Sequence, residues 1–445
     1  MRATANVLDN NKIKLVIEID ELEMADAVSA TVKSIAQDIV IKGFRKGKAP
    51  RNLIEQRLGG AQALRAEAIR EAMPNFYARA VVETEIDPID QPNVTITAGE
   101  DEGVVVFEAE VEVRPEVSIG GYQNLVVTLP SVSVSADDVD DQLVSLRDTD
   151  AVLNVVERSV VTTDVVTLDI VASDPSGESE PMNLSDIVYP VGSESITEGL
   201  DEQLTGKSIG DEFQIAGPGP MGTGAWIFDV TVKEVKEKSL PELTDEWVAE
   251  STDFTTVEEL RNDIATQLTR RKVLEAQFAR RDASLQALSE LVAEDACPAA
   301  LVGSETERRV HDLGHRLEQQ NLTIDSFLQI TNQSPESLIA TLREDAVKWV
   351  RTDLALRALA KAESLDPTDE EADEELVSTS LEMGVPAETL RTNIRESGRV
   401  VAFRAEVAKM KATKWLNEHV SYVDAEGKEI SRELLETDQS LDENA

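Results

Sequence analysis

From Val257 an apolar stripe steps by three and four through Leu260, Ile264 and Leu268, and Leu274, Phe278, Leu285, Leu288 and Val292 continue it. A helix of about forty residues would be roughly 60 Å long. Such a helix cannot bury its stripe alone, so the chain must supply partners. Thr256-Val257-Glu258-Glu259 offers a capping box at its start. A second helix is expected near 299–320. Ser334-Pro335 opens a third, with Leu338, Leu342, Val350, Leu354 and Leu359 on its stripe. The acid run over 369–375 opens another, where the helix dipole favours acids and the ordinary meaning is a solvated face. Gly384, Pro386 and Gly398 mark turns. A last helix carries Val401, Phe403, Val407, Met410, Trp415 and Leu416. Residues 244–430 therefore read as a helical domain, and 431–445 as a disordered acidic tail. Open grooves between long arms and a compact bundle both remain, because core and groove positions are equally apolar.

The other end of the chain has a different period. Ile13, Leu15, Ile17 and Ile19 alternate with Lys14, Val16, Glu18 and Asp20, which predicts a strand. Helical spacing follows over 21–40 through Leu22, Ala25, Val28, Val32, Ile35 and Ile39. Pro50 opens a short helix that Gly59-Gly60 ends. Another helix is expected from 61 to 84, with a kink at Pro74. Val105, Phe107, Ala109, Val111 and Val113 oppose Glu108, Glu110 and Glu112, a half-buried strand with a charged outer face. Residues 1–113 thus read as a sheet-backed module. A connector follows over 114–150, extended at first and then helical through Val139, Leu143 and Leu146. Residues 151–243 are rich in Val, Ile, Thr and Gly and read as a small domain of short strands. The fold class is α+β multidomain.

Length and charge set outer bounds. At 445 residues the chain exceeds one core. A formal net charge of −43 argues against general affinity for nucleic acid, DNA included, or for membranes. No apolar run is long enough to cross a membrane. Met1–Asn6 contains no apolar signal-peptide segment. The single cysteine, Cys297, excludes an internal disulfide, and cytoplasmic residence is expected.

Against that acidic background, Lys42, Arg45, Lys46, Lys48 and Arg51 cluster with no acid between Asp38 and Glu55. Phe44 sits among them, Gly43 and Gly47 permit unusual backbone angles, and Pro50 stiffens the exit. An apolar ring among cations on a tight turn suggests a docking tip for a polyanion. The ordinary alternative is a basic loop whose Phe44 tucks into its own domain.

Gly43-Phe44-Arg45-Lys46-Gly47-Lys48-Ala49-Pro50 resembles the ribosome-docking signature of the bacterial trigger factor family. Three other segments are similar to the family: Glu112–Val117 at the end of its first domain, Leu240–Thr244 at the exit of its middle domain, and Pro298–Leu301 in its helical domain. The resemblance implies an ATP-independent chaperone that docks beside the peptide exit tunnel of the ribosome through residues 42–51. Its helical arms would cradle unfolded nascent polypeptides. The implied docking residues are Gly43, Phe44, Arg45, Lys46, Gly47, Lys48 and Pro50.

By position and by Gly206–Phe213, the middle domain resembles the family's FKBP-type prolyl isomerase module. The barrier to X–Pro rotation is amide resonance, roughly 18–20 kcal/mol. An apolar, aromatic-lined pocket lowers it by favouring the twisted amide, with no covalent step. The resemblance implies a pocket at Asp169, Ile170, Leu200 and Phe228. Only Phe228 keeps a family aromatic there; Ile170 and Leu200 stand where the family has rings. The flap over 217–224 is short and lacks its tyrosine. Trp226 is either a second pocket ring or core. An active isomerase and a retained scaffold of reduced activity both remain.

Several motifs are decoys. Gly217, Gly219 and Gly222 form a Gly-x-Gly-x-x-Gly, but Pro218 and Pro220 remove donors and a strand follows, so no helix N-terminus awaits a phosphate. His311-Asp312-Leu313-Gly314-His315 mimics a zinc-protease motif, with Asp312 where glutamate is required. No metal and no cofactor are expected. Three functions follow: the ribosome-docked holding chaperone, a protein whose main activity is prolyl isomerisation, and a structural RNA-binding protein using the basic tip.

Overall fold

A computed structural model describes residues 1–9, 11–38, 44–45, 47–48, 50–175, 180–218 and 225–436. It separates into two compact units. The first comprises Met1–Ser131 and Ala276–Thr437, the second Val132–Glu275.

The first unit begins with a four-stranded antiparallel sheet. Strands β1 (Arg2–Val7), β2 (Lys12–Ile19), β3 (Asn93–Ala98) and β4 (Val105–Glu112) lie in the order β1-β2-β4-β3. The alternation in β2 and β4 sends one face inward. Leu15 pairs with Ala109 and Ile17 with Phe107, and all four are fully buried. Two helices cover that face, α1 (Glu21–Asp38) and α3 (Ala61–Thr84), through Met24, Val28, Leu64, Ala68, Phe76 and Ala80. Between them runs α2 (Arg51–Leu58), closed by Gly59 in the left-handed conformation. Pro74 lies inside α3, which continues through it to Thr84.

The expected connector has two fates. Its first part gives β5 (Val126–Thr128), in the first unit. Its second part gives α4 (Ala136–Asp148), in the second unit, with a capping box from Ser135 and Asp138. The second unit then holds a five-stranded antiparallel sheet. Its strands are β6 (Val152–Val155), β7 (Val165–Ser173), β8 (Met182–Pro190), β9 (Glu212–Pro218) and β10 (Ala225–Ser239). The order is β6-β10-β7-β8, and β9 pairs with the first half of β10 while β6 pairs with its end. The short helix α5 (Leu200–Leu204) packs Leu200 and Leu204 onto the sheet. Helix α6 (Asp245–Ser251) and the first turns of α7 (Val257–Ser289) pack on α4 through Val139, Leu143, Val248, Leu260, Ile264 and Leu268.

Helix α7 has 33 residues, shorter than its stripe suggested. It ends at Ser289, and a tight turn carries Val292 into the core beyond the helix. Helices α8 (Ala299–Gln319), α9 (Ile324–Ile330), α10 (Pro335–Ala362), α11 (Asp369–Met383), α12 (Ala387–Glu396) and α13 (Val400–His419) follow in the first unit. The Ser334 hydroxyl caps α10, and Thr368 with Glu371 forms a capping box on α11. After α13, β11 (Ser421–Val423) pairs in parallel with β5. The disordered tail expected from 431 is corrected at its start. Residues Arg432–Glu436 form α14, with Leu435 buried and the Gln277 amide donating to the Leu434 carbonyl. The rest of that tail lies outside the described residues.

Candidate functional site

Of the basic stretch between α1 and α2 in the chain, residues 44–45, 47–48 and 50 are described. Gly47 adopts φ +79°, a conformation that strains any residue with a Cβ. Its N–H donates to the Ala36 carbonyl at 2.8 Å, and the Lys48 N–H donates to the Arg45 carbonyl at 2.9 Å. That turn holds Phe44 42% exposed. Arg45 and Lys48 are exposed, with no ion pair among the described residues. Pro50 sits at the N-terminal cap of α2, and Arg51 pairs with Glu55 at 2.7 Å. Gly43 and Lys46, expected as docking residues, lie outside the described residues, as do Lys42 and Ala49.

The expected isomerase pocket is built differently. Ile170, Leu200 and Phe228 do come together in one cluster, but they are only 1%, 0% and 6% exposed. Trp226 shares the buried face of β10 with Phe228 and belongs to the core. Asp169 is not with them. It is the next residue to Ile170 on β7, so alternation turns it to the opposite face. There its carboxylate accepts the Asp186 N–H at 2.8 Å and meets Lys233 at 3.3 Å. The pairing of β7 with β8 shifts register at this point, and Asp186 has φ +55°. Asp169 therefore pins a β-bulge. The Asp186 N–H and the Lys233 ammonium hold its carboxyl below the usual range.

Thr197 takes part of the space beside Phe228. A Cβ on Gly217 would lie 1.9 Å from the Thr197 hydroxyl and 3.7 Å from the Phe228 ring. Glycine at 217 is what lets Thr197 in. The Thr197 hydroxyl is buried without a hydrogen-bond partner among the described residues. The two segments 176–179 and 219–224, which include most of the flap, lie outside the described residues.

Sequence reasoning missed an ionic joint in the first unit. The Arg114 guanidinium meets Asp87 at 2.9 Å and Asp353 at 2.6 Å. Arg357 reaches the same two carboxylates at 3.1 and 3.2 Å, and Lys409 also pairs with Asp353. Burial pushes the Asp353 carboxyl up, but Arg357, Lys409 and Arg114 outweigh it and hold the group below its ordinary value. Beside the joint, Ile89 and Val117 pack on Leu301, Val302, Val350 and Leu354. The joint thus fastens the sheet module to α10 and α13. One signal was available: Asp353 interrupts the apolar stripe of α10 between Val350 and Leu354.

The helices of the first unit leave apolar side chains uncovered. Phe278 on α7 is 82% exposed and Leu381 on α11 is 77% exposed. Ile330, Val377, Met383 and Met410 are exposed as well. A cleft of about 360 Å³ between α11, α12 and α13 is lined by Ala372, Leu376, Ile394 and Phe403. His311 and His315 meet edge to face, 4.3 Å between ring centroids. Cys297 is half-buried, and burial pushes its thiol up. Among the described residues no helix is long and apolar enough to cross a membrane.

The first unit thus combines a sheet module that carries an exposed ring beside cations with helices that leave apolar side chains uncovered. The comparisons with known proteins place the chain further. A family profile described as bacterial trigger factor protein matches residues 1–146, and one described as its C-terminus matches 256–418. The chain is 35% identical to a trigger factor of Parafrankia sp. (strain EAN1pec), over 98% of this chain and 86% of that one. It is 31% identical to a trigger factor of Desulforamulus reducens, over 95% of this chain and 99% of that one. A solved trigger factor chaperone, from work on promiscuous substrate recognition in folding and assembly, aligns over 94% of this chain and 100% of its own, with 20% identity and a TM-score of 0.43. The chain belongs to the bacterial trigger factor family, which are ribosome-associated chaperones.

Proposed function

We propose that this chain docks beside the ribosomal exit tunnel through residues 42–51 and shields emerging unfolded segments in the cytoplasm without ATP. One observation carries the docking: Phe44 stays 42% exposed beside Arg45 and Lys48, which make no ion pair among the described residues. An uncompensated ring and uncompensated charges gain most from a partner with phosphates and apolar gaps. Client holding falls to the uncovered side chains of α7, α9, α11 and α13, which include Phe278, Ile330 and Leu381.

The middle domain serves in this reading as a scaffold of reduced isomerase activity. A pocket must be open to admit a prolyl ring, and Ile170 and Leu200 are closed off. An interaction that does not distinguish the twisted amide from the planar one gives no acceleration. The test is co-sedimentation of the full chain with ribosomes that carry nascent chains, with free ribosomal RNA as the parallel sample. Stronger binding to nascent-chain ribosomes than to free RNA is expected. Equal binding to both would replace the reading with a general RNA binder.

A further inference from the structure

The last described helix leads out beside an open cleft. Helix α14 is fastened to α7. The Gln277 amide donates to the Leu434 carbonyl at 3.2 Å, and the Arg280 guanidinium reaches the Leu435 carbonyl at 3.4 Å and the Glu436 carboxylate at 3.9 Å. Glu436 is the last described residue. It stands in the wall of a cleft of about 570 Å³ between α7, α10, α13 and α14. Leu356 and Met410 give that cleft an apolar patch, and Met410 is 54% exposed.

The charges of the wall are not balanced. Lys409 meets Asp353 and Glu406, and Arg280 meets Glu436. Arg281 and Lys414 are exposed and make no ion pair among the described residues. Against them the wall has one uncommitted acid, Glu418. Two free cations beside an exposed apolar side chain suit an acidic peptide with one large apolar residue.

Residues 437–445 have that composition. Asp438, Asp442 and Glu443 carry charge with no base among them, and Leu441 is the one large apolar residue. The segment departs from the wall of the cleft itself, and nine residues span up to about 30 Å. A tethered ligand also acts at an effective concentration on the order of millimolar, so weak contacts suffice.

We propose that residues 437–445 fold back into this cleft as a built-in occupant that a client must displace. Their acids face Arg281 and Lys414, and Leu441 lies against Met410. The competition rests on the client-holding reading above, which includes α13; the docking of the segment does not. An occupied cleft weakens apparent client affinity by the fraction of time it is free.

The test uses the full chain with Cys297→Ala, Thr413→Cys beside the cleft and Ser440→Cys in the segment. An intramolecular disulfide is expected to form readily under oxidation at low salt. Neutralising the segment with Asp438→Asn, Asp442→Asn and Glu443→Gln should slow its formation about fivefold or more. Arg281→Glu with Lys414→Glu should do the same from the other side, and both of those residues are exposed, so packing is spared. Added salt should slow the parent chain toward these two. With the native Cys297, Thr413 and Ser440, the neutralised segment should tighten client holding about fivefold and leave ribosome co-sedimentation unchanged. Equal disulfide rates in all three chains would overturn the docking. A disulfide that forms only between two copies would overturn it in favour of a second chain's segment. Equal client holding beside unequal disulfide rates would overturn the competition. If no chain holds any client, the holding reading fails, and the disulfide rates still decide the docking.

Discussion

Phe44 keeps 42% of its surface exposed beside Arg45 and Lys48, which make no ion pair among the described residues, whereas Ile170 and Leu200 keep 1% and 0%. Both regions are family sites, and they differ in what folding has been allowed to compensate. The tip leaves ring and charge unsatisfied, which costs stability and is retained where a partner repays it. The middle domain has aliphatic side chains in place of rings and has packed them. Thr197 sits beside Phe228, and Asp169 clamps a bulge.

Substitutions separate the two regions. The largest stability effect is expected at the joint that carries the tip's module. Asp353→Asn leaves three cations facing one buried amide, and breaking a buried pair costs roughly 3–5 kcal/mol. A melt of the full chain reads this as an early transition in the first unit, with the second unit unchanged. The wild-type joint also fixes a pH dependence. The folded Asp353 carboxyl titrates below the ordinary value of about 3.9. Its stabilisation is complete above that value and is lost as pH falls through the folded one. The pH dependence of wild-type unfolding below about 4 should be flattened in the Asp353→Asn variant.

A smaller effect is expected in the middle domain. Ile170→Phe with Leu200→Phe restores the rings of the family pattern, but both sites are fully packed. Overpacking should cost about 1–3 kcal/mol, and X–Pro isomerisation should not rise. A stable variant with faster turnover would show that the pocket has room and only lacks rings. The smallest stability effect belongs to Arg51→Ala, which removes an exposed pair with Glu55 worth about 0.3–0.5 kcal/mol. Its signature is different: the salt slope of ribosome binding should fall by about one phosphate contact.

Much of this was legible in the sequence because it is local. The alternation of Leu15, Ile17, Phe107 and Ala109 marked the strands of the first sheet, and Thr256 and Ser334 marked helix starts. The basic stretch around Phe44 stands out in the sequence because its cations are close together. What was not legible depends on distant partners. Nothing near Val126 announces its parallel pairing with Ser421. Asp87 and Arg114 look like ordinary surface charges until Asp353 meets them. Asp169 was grouped with Ile170 on family resemblance, and adjacency on a strand is what separates them.

The central claim is that the tip carries docking through its uncompensated ring and cations. Changing Phe44, Arg45 and Lys46 to alanine in the full chain, followed by ribosome co-sedimentation, tests it most directly. Each such anchor is commonly worth about 2 kcal/mol or more at a hot spot. The account predicts loss of co-sedimentation with an unchanged melt, and wild-type binding that weakens with added salt. Undiminished binding by the folded triple variant would contradict it.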